Sequence, residues 1–337
     1  MKVKTIKILF GSLLLFLIFL IVLMLIPSGD YKHVKEGAVV GVNQFINTRS
    51  LGGKEVDGSD FYLTYVNTNS SPTLLHQFVN RITGYEKSIT SNEVCRDFDY
   101  DDETEYGERI LPYMSQNAIS SAMHAAGIEP EGVLLNPIVL STAKNIKTSK
   151  LFKPGDKVLS LNGEELMTGE LFSFILNKHQ EGDLINVIIE RDGKQKEVSF
   201  IASERDCNNQ LTAGIYVETT VDITNINEEE VVDTKRMDFT GNSAGLMLSI
   251  GIAQQLLNED LSHGKKIAGT GSINTIGIVG KIGSLDMKIR TAIKEGADVF
   301  LYPKSQENEI YGDYKKDISL IPVESLDDAI AALRQMK

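Results

Sequence analysis

The hydrophobic pattern opens with one long uninterrupted run. Residues 8–26 contain no charged side chain. At 1.5 Å per residue these nineteen positions span roughly 28 Å, about the thickness of a hydrocarbon core. Lys2, Lys4 and Lys7 precede the run, a bias that keeps a short flank cytoplasmic. A cleaved signal peptide shares the basic start. Against cleavage stand the length of the run and its exit through Leu25, Ile26, Pro27 and Ser28, which offers no small-x-small pattern. The pattern predicts a single-pass membrane anchor over residues 1–30, with the bulk of the chain outside the cell.

Beyond the anchor the apolar positions break into short elements. Residues 38–42 and 60–66 read as strands, the second alternating apolar and polar. Residues 72–82 read as a helix. Helical spacing through Tyr113, Ala118, Met123 and Ala126 ends at Gly127, a residue suited to closing a helix. The acid-rich run 97–105 reads as a solvated face. Gly132, Val133, Leu134 and Leu135 form a short apolar strand, and a helix follows at 168–178. Strands at 185–190 and 197–201 are joined through Asp192-Gly193, a hairpin pair. The last third places strands at 213–217 and 221–223 before an uncharged helix over 246–257. A strand over 266–273 then leads to a glycine-rich hairpin at 277–280, and a helix from 283 stops at Gly296. Strands at 298–302 and 318–321 precede a final helix capped at Ser325. This mixture predicts an α+β multidomain chain. After the anchor we expect segments at 31–116, 117–204 and 205–337, the first packing with the last.

Composition narrows the functions. The chain has 337 residues, room for two or three domains. A formal net charge of −12 argues against a nucleic-acid partner. Cys95 and Cys207 are too few for a disulfide framework; one bridge or two unpaired residues both fit. The histidines are scattered without ligand spacing, so neither a metal nor a cofactor is expected.

Candidate chemistry sits at Ser243. The turn Thr240-Gly241-Asn242-Ser243 runs directly into the uncharged helix, where backbone N–H groups lack intrahelical partners. A serine there can cap the helix, or it can be a nucleophile whose product those N–H groups stabilise. Lys288 is the second candidate. It falls near the first turn of the helix after Ser284, where the macrodipole disfavours a cation, and its neighbours Leu285, Met287 and Ile289 are apolar. It is either a buried neutral base or a lysine reaching along the helix to water.

Two resemblances bear on the choice. Residues 117–204, with Lys-Pro-Gly-Asp-Lys-Val-Leu-Ser-Leu-Asn-Gly from Lys153, resemble a PDZ domain of the bacterial, circularly permuted kind. That resemblance implies that a peptide C-terminus adds beside Gly132, Val133, Leu134 and Leu135. Here the carboxylate loop reads Gly-Val-Leu-Leu instead of the typical Gly-Leu-Gly-Phe. From about residue 211, Phe-Thr-Gly-Asn-Ser-Ala-Gly and the later Gly269-Thr270-Gly271-Ser272 … Lys288 … Pro303 resemble Lon-type serine peptidases, with a ribosomal protein S5 domain 2-like fold. By that resemblance Ser243 is the nucleophile, Lys288 the general base, and Thr270 the residue that orients the lysine. Backbone N–H groups at Asn242, Ser243 and Ala244 are the candidate oxyanion hole. The family's Asp-Gly-Pro before the serine is Thr240-Gly241-Asn242 here, and its Thr-Gly-Glu is Thr270-Gly271-Ser272. No G-x-x-x-x-G-K-[ST] phosphate loop occurs, so no ATP is expected. The arrangement resembles the membrane-anchored PDZ–Lon peptidases of Gram-positive bacteria, the YlbL/SepM-like group. It implies an ATP-independent serine endopeptidase acting on exposed peptide or protein segments, such as exported signalling peptides, and allows a homo-oligomer. The competing expectation is a catalytically idle PDZ scaffold that recruits partners at the membrane surface.

Overall fold

The computed structural model describes residues 2–28, 31–58, 60–69, 72–83, 87–90, 103–129, 132–206, 209–223 and 225–336. Contacts divide the chain into two compact units, Met1–Gly37 with Val66–Cys95, and Ala38–Tyr65 with Arg96–Lys337.

The first unit carries helix α1 (Lys2–Leu25) and the start of strand β1 (Tyr31–Gly41). It also holds the end of β2 (Phe61–Asn69), helix α2 (Leu74–Thr83) and β3 (Lys87–Thr90). β3 pairs antiparallel with the start of β1, from Tyr31↔Thr90 to Val34↔Lys87. The window Ile8–Leu25 of α1 has none of its residues buried. A helix apolar on every side has no face suited to water. Among the described residues α1 alone is long and apolar enough to cross a membrane.

Among the described residues the second unit contains two large sheets and a two-stranded one. In the first, β2 pairs parallel with β10 (Ile267–Gly269), β10 with β13 (Val299–Pro303), and β13 with β14 (Ser319–Val323). Side chains alternate across these strands. Ile267, Val299 and Leu301 join the core formed by α3 (Glu103–Ala125), the short α5 (Glu228–Val231), α6 (Gly245–Leu257) and α8 (Leu326–Gln335). Ala268, Phe300 and Tyr302 instead pack with Leu285, Ile289 and Ala292 of α7 (Leu285–Lys294). The sheet therefore separates α6 from α7.

The second sheet runs β8-β7-β5-β4-β9. Its strands are β4 (Val133–Thr142), β5 (Lys157–Leu161), β7 (Leu184–Arg191), β8 (Lys194–Ile201) and β9 (Ile215–Ile223); β6 (Glu164–Glu165) pairs with β5, and helix α4 (Gly169–Leu176) covers the sheet. Phe172, Ile175 and Leu176 of α4 fill its core with Val139, Val158, Leu161, Ile185, Val187 and Ile189. The β7–β8 turn places Asp192 at φ 54° and Gly193 at φ 68°, the left-handed pair that matches strand twist in a two-residue hairpin.

The mixed α+β multidomain class expected from the pattern is the class observed. Several expected boundaries move. Ala118, Ile119 and Ala122 of α3 pack in the core around α6, and β9 pairs with β4 from Val133↔Ile223 to Thr142↔Ile215. The two strands expected at 213–217 and 221–223 are thus one. Residues 61–63 supply a strand to the sheet of the last segment, a pairing too distant for local pattern to reveal. α3 starts about ten residues earlier than its spacing suggested and runs through Pro112. The expected strand 266–273 divides into β10 and β11 (Ser272–Ile273), which pairs with β12 (Val279–Gly280). Cys95, Cys207 and most of the acid-rich run lie outside the described residues.

Candidate active site

β10 carries the site between the two helix layers. Thr270 follows the last residue of β10, and the C-terminal ends of parallel strands are where such sheets leave room for a ligand. Ser243 arrives from one face, two residues before α6, and Lys288 from the other, in the first turns of α7. They meet at the strand end. Lys288 Nζ lies 2.7 Å from Ser243 Oγ and 3.0 Å from Thr270 Oγ1. Thr270 Oγ1 donates to the Ser243 carbonyl oxygen at 3.1 Å, and Gly271 N donates to that same oxygen at 2.9 Å. With its proton committed there, the Thr270 hydroxyl presents an acceptor to the lysine amine.

Burial sets the chemistry of Lys288. The residue is only 4% exposed, and desolvation pushes its pKa down from 10.5 to about 7. Taking an ammonium out of water without an anionic partner penalises the charged form. Its position at the positive end of α7 acts in the same direction. Of the two readings of this lysine, the structure shows the buried one; the side chain does not reach to water.

The serine also departs from the cap reading. Ala244 occupies the N-cap position of α6 and makes no side-chain cap bond, so the Ser243 hydroxyl is left to the lysine. Gly245 N donates to Asn242 O and Gly241 N to Gly107 O. Among the described residues, the backbone N–H groups of Asn242, Ser243 and Ala244 have no hydrogen-bond partner. Gly241 has φ 97°, a left-handed conformation that a side chain would strain. Ser284 sits at the N-cap of α7 with φ 57° and no side-chain bond.

Three positions around the site were not singled out in the sequence. Gln306 clasps the loop before α7, accepting from Ile282 N at 2.7 Å and donating to Ile282 O at 2.8 Å. Asp286 accepts from Tyr311 N at 2.9 Å and from the Tyr314 hydroxyl at 3.1 Å. Gly107 supplies the carbonyl that holds Gly241. Each partner is distant along the chain, so only Asp286, an acid in a first helical turn, left any local trace.

The residues proposed to hold a peptide lie elsewhere, at the start of β4. Leu134 and Leu135 are exposed, at 57% and 36%. One edge of this strand is already spent on β9, with Leu134↔Asp222 and Leu135↔Val221 in register. A peptide therefore cannot add on that edge. On the other edge β5 pairs only at Ile138↔Lys157, and Leu134, Leu135, Asn136 and Pro137 line an open cleft with Leu159 and Glu165.

No family model matches the chain. A Lon protease from Endomicrobium trichonymphae is 34% identical over 94 residues, which is 27% of this chain and 12% of that protein. Archaeal Lon proteases from Halobacterium salinarum and Pyrococcus abyssi are 28% and 29% identical over 92 residues, 13% and 9% of their lengths. Over 27% of its length the chain is similar to Lon proteases. It spans only about a tenth of the length of these relatives. Among solved structures it is similar to the PDZ domains of SdrC-like proteins from Listeria monocytogenes and Listeria innocua. These are 15% and 18% identical, cover 24% of this chain and 85% and 92% of those chains, and both have a TM-score of 0.23.

Proposed function

We propose that this chain is an ATP-independent, membrane-anchored serine endopeptidase in which Ser243 and Lys288 form a catalytic dyad. The observation that carries this reading is the 2.7 Å contact between Ser243 Oγ and a buried lysine whose pKa lies at about 7. A serine hydroxyl needs a neighbouring base to act as a nucleophile at neutral pH. A lysine with an ordinary pKa would already hold a proton there; burial lowers the Lys288 pKa to about 7, which favours the neutral amine the step needs.

The Ser243 hydroxyl gives its proton to the neutral Lys288 amine as Oγ bonds to the scissile carbonyl carbon. The carbonyl electron pair moves onto oxygen, which accepts from the N–H groups of Ser243 and its neighbours Asn242 and Ala244. The C–N bond then breaks, and the leaving amine takes the proton from Lys288. Lys288 then takes a proton from water as the water oxygen bonds to the acyl carbon; the C–Oγ bond breaks, and the lysine gives that proton to Ser243 Oγ. Thr270 keeps the amine in place throughout.

The reading extends to substrate and place. The absence of a phosphate loop in the sequence favours segments that are already exposed, because nothing in it would unfold a stable substrate. Lys2, Lys4 and Lys7 before the apolar run favour an extracytoplasmic site. Exported peptides and the outer segments of membrane proteins fit both conditions. In the test, purified full-length chain in detergent is given an unstructured peptide. Ser243→Ala and Lys288→Ala should each lower kcat/KM by about a thousandfold or more. Cleavage by both variants at the parent's rate would end the proposal.

A further inference from the structure

Helix α2 is amphipathic in the wrong direction for water. Leu74, Leu75, Phe78, Val79 and Ile82 recur at the spacing of one helix face. In a water-soluble unit that face would turn to the core. Here Phe78 is 56% exposed, Val79 48% and Ile82 69%, while the polar Asn80 is only 7% exposed. The helix buries an amide and shows its apolar stripe outward.

Its position gives the reason. The backbone joins α2 directly to the end of the membrane span: Ser28 N donates to Pro72 O at 2.8 Å and Leu74 N to Ile26 O at 2.9 Å. Pro27 and Thr73 form an antiparallel bridge between these bonds. The first turn of α2 is thereby fixed at the level where α1 ends, and α2 packs against α1. The exposed Phe78, Val79 and Ile82 thus continue the apolar surface at the end of α1, where Met24, Leu25 and the following Ile26 are likewise exposed at 56%, 75% and 42%.

We propose that α2 is a second membrane element: its Leu74–Leu75–Phe78–Val79–Ile82 stripe inserts into the lipid acyl region beside α1. This rests on reading α1 as a membrane span, and the role is distinct from peptidase chemistry. An apolar face gains on leaving water for the acyl boundary. A helix held by short backbone bonds to a transmembrane segment reaches that boundary without diffusing to it. The occupant is lipid because the stripe is continuous with the surface that lipid covers on α1.

The chain contains no tryptophan, so single-tryptophan variants report one site each. Phe78→Trp, Phe16→Trp in mid-span and Tyr311→Trp, at a position 70% exposed, would be made in the full-length chain. Each is reconstituted in phosphatidylcholine–phosphatidylglycerol vesicles with and without dibrominated acyl chains. Bromine quenches by contact. The F78W and F16W variants should therefore lose fluorescence by about twofold or more while Y311W is unchanged, as expected for acyl-depth burial. Ile82→Trp should repeat the F78W result, which guards against a local packing defect. If F16W is quenched and the indoles at positions 78 and 82 are not, the stripe faces water or another protein chain. That outcome overturns the inference and leaves the anchor standing. If F16W is not quenched, both fall.

Discussion

Two regions of this chain bury a charged side chain, and they treat it in opposite ways. In the sheet around β4, Asp156 is 1% exposed and fully answered. Arg191 Nε and Nη2 each reach a different carboxylate oxygen at 2.6 Å, and Lys153 N donates at 2.7 Å. Beside β10, Lys288 is 4% exposed and, among the described residues, meets two hydroxyls and no carboxylate. The first arrangement keeps the charge by pairing it. The second makes the charge expensive and so keeps the amine partly neutral. A paired buried charge holds the loop at Lys153 to the hairpin strand β7. An unpaired one is suited to proton transfer.

Removing the buried partners should therefore have opposite effects on stability. Asp156→Ala removes the buried acceptor of Arg191 and of Lys153 N and should cost about 1–3 kcal/mol, read as a lower thermal midpoint. The dyad geometry is built from other elements, so kcat/KM per folded molecule on a short peptide should stay near the parent's. Lys288→Met should do the reverse, stabilising the chain while ending catalysis. Its folded pKa of about 7 lies below the unfolded 10.5. Between those values the unfolded state binds more protons, so stability rises with pH across that window, and the full burial penalty is present below it. At neutral pH that penalty is about 4 kcal/mol, an upper bound on what the methionine recovers. Equal destabilisation by both variants would break the contrast.

The smallest effect sharpens the second half of the comparison. Thr270→Val keeps the volume near the strand end but removes the acceptor at 3.0 Å from Lys288 Nζ. A misplaced base should lower kcat by roughly 10- to 100-fold with little change in KM. Steady-state kinetics on the same peptide separate the two constants. An unchanged kcat would remove Thr270 from the positioning role.

Much of this contrast could be read along the chain, and the unread part has a common cause. Lys288 is marked by its apolar neighbours Leu285, Met287 and Ile289 at a helix start where the macrodipole disfavours a cation, and local pattern alone leaves open a lysine that reaches to water. Ser243 stood out because a glycine-bearing turn met an uncharged helix. Local signals also placed the Asp192-Gly193 hairpin and the Ser325 cap, whose hydroxyl accepts from Asp328 N at 3.1 Å. What stayed hidden depends on partners distant in sequence. The β2–β10 pairing joins residues 61–63 to 267–269. The Gln306 clasp on Ile282 and the Gly107 carbonyl under Gly241 are of the same kind. Even β9, pattern-bearing in itself, falls in the segment expected at 205–337 yet pairs with β4, because nothing in residues 215–223 names that neighbour. Periodicity reports which face of an element is buried, and leaves its partner open.

The central claim is that the buried Lys288 amine is the base. It is tested most directly by the pH dependence of kcat/KM for the full-length chain, using an unstructured peptide without titratable side chains. The account predicts a rise of about tenfold per pH unit below a midpoint at about 7, where the amine loses its proton, and a plateau above it. A profile that is flat through neutrality, or that falls as pH rises, would contradict it.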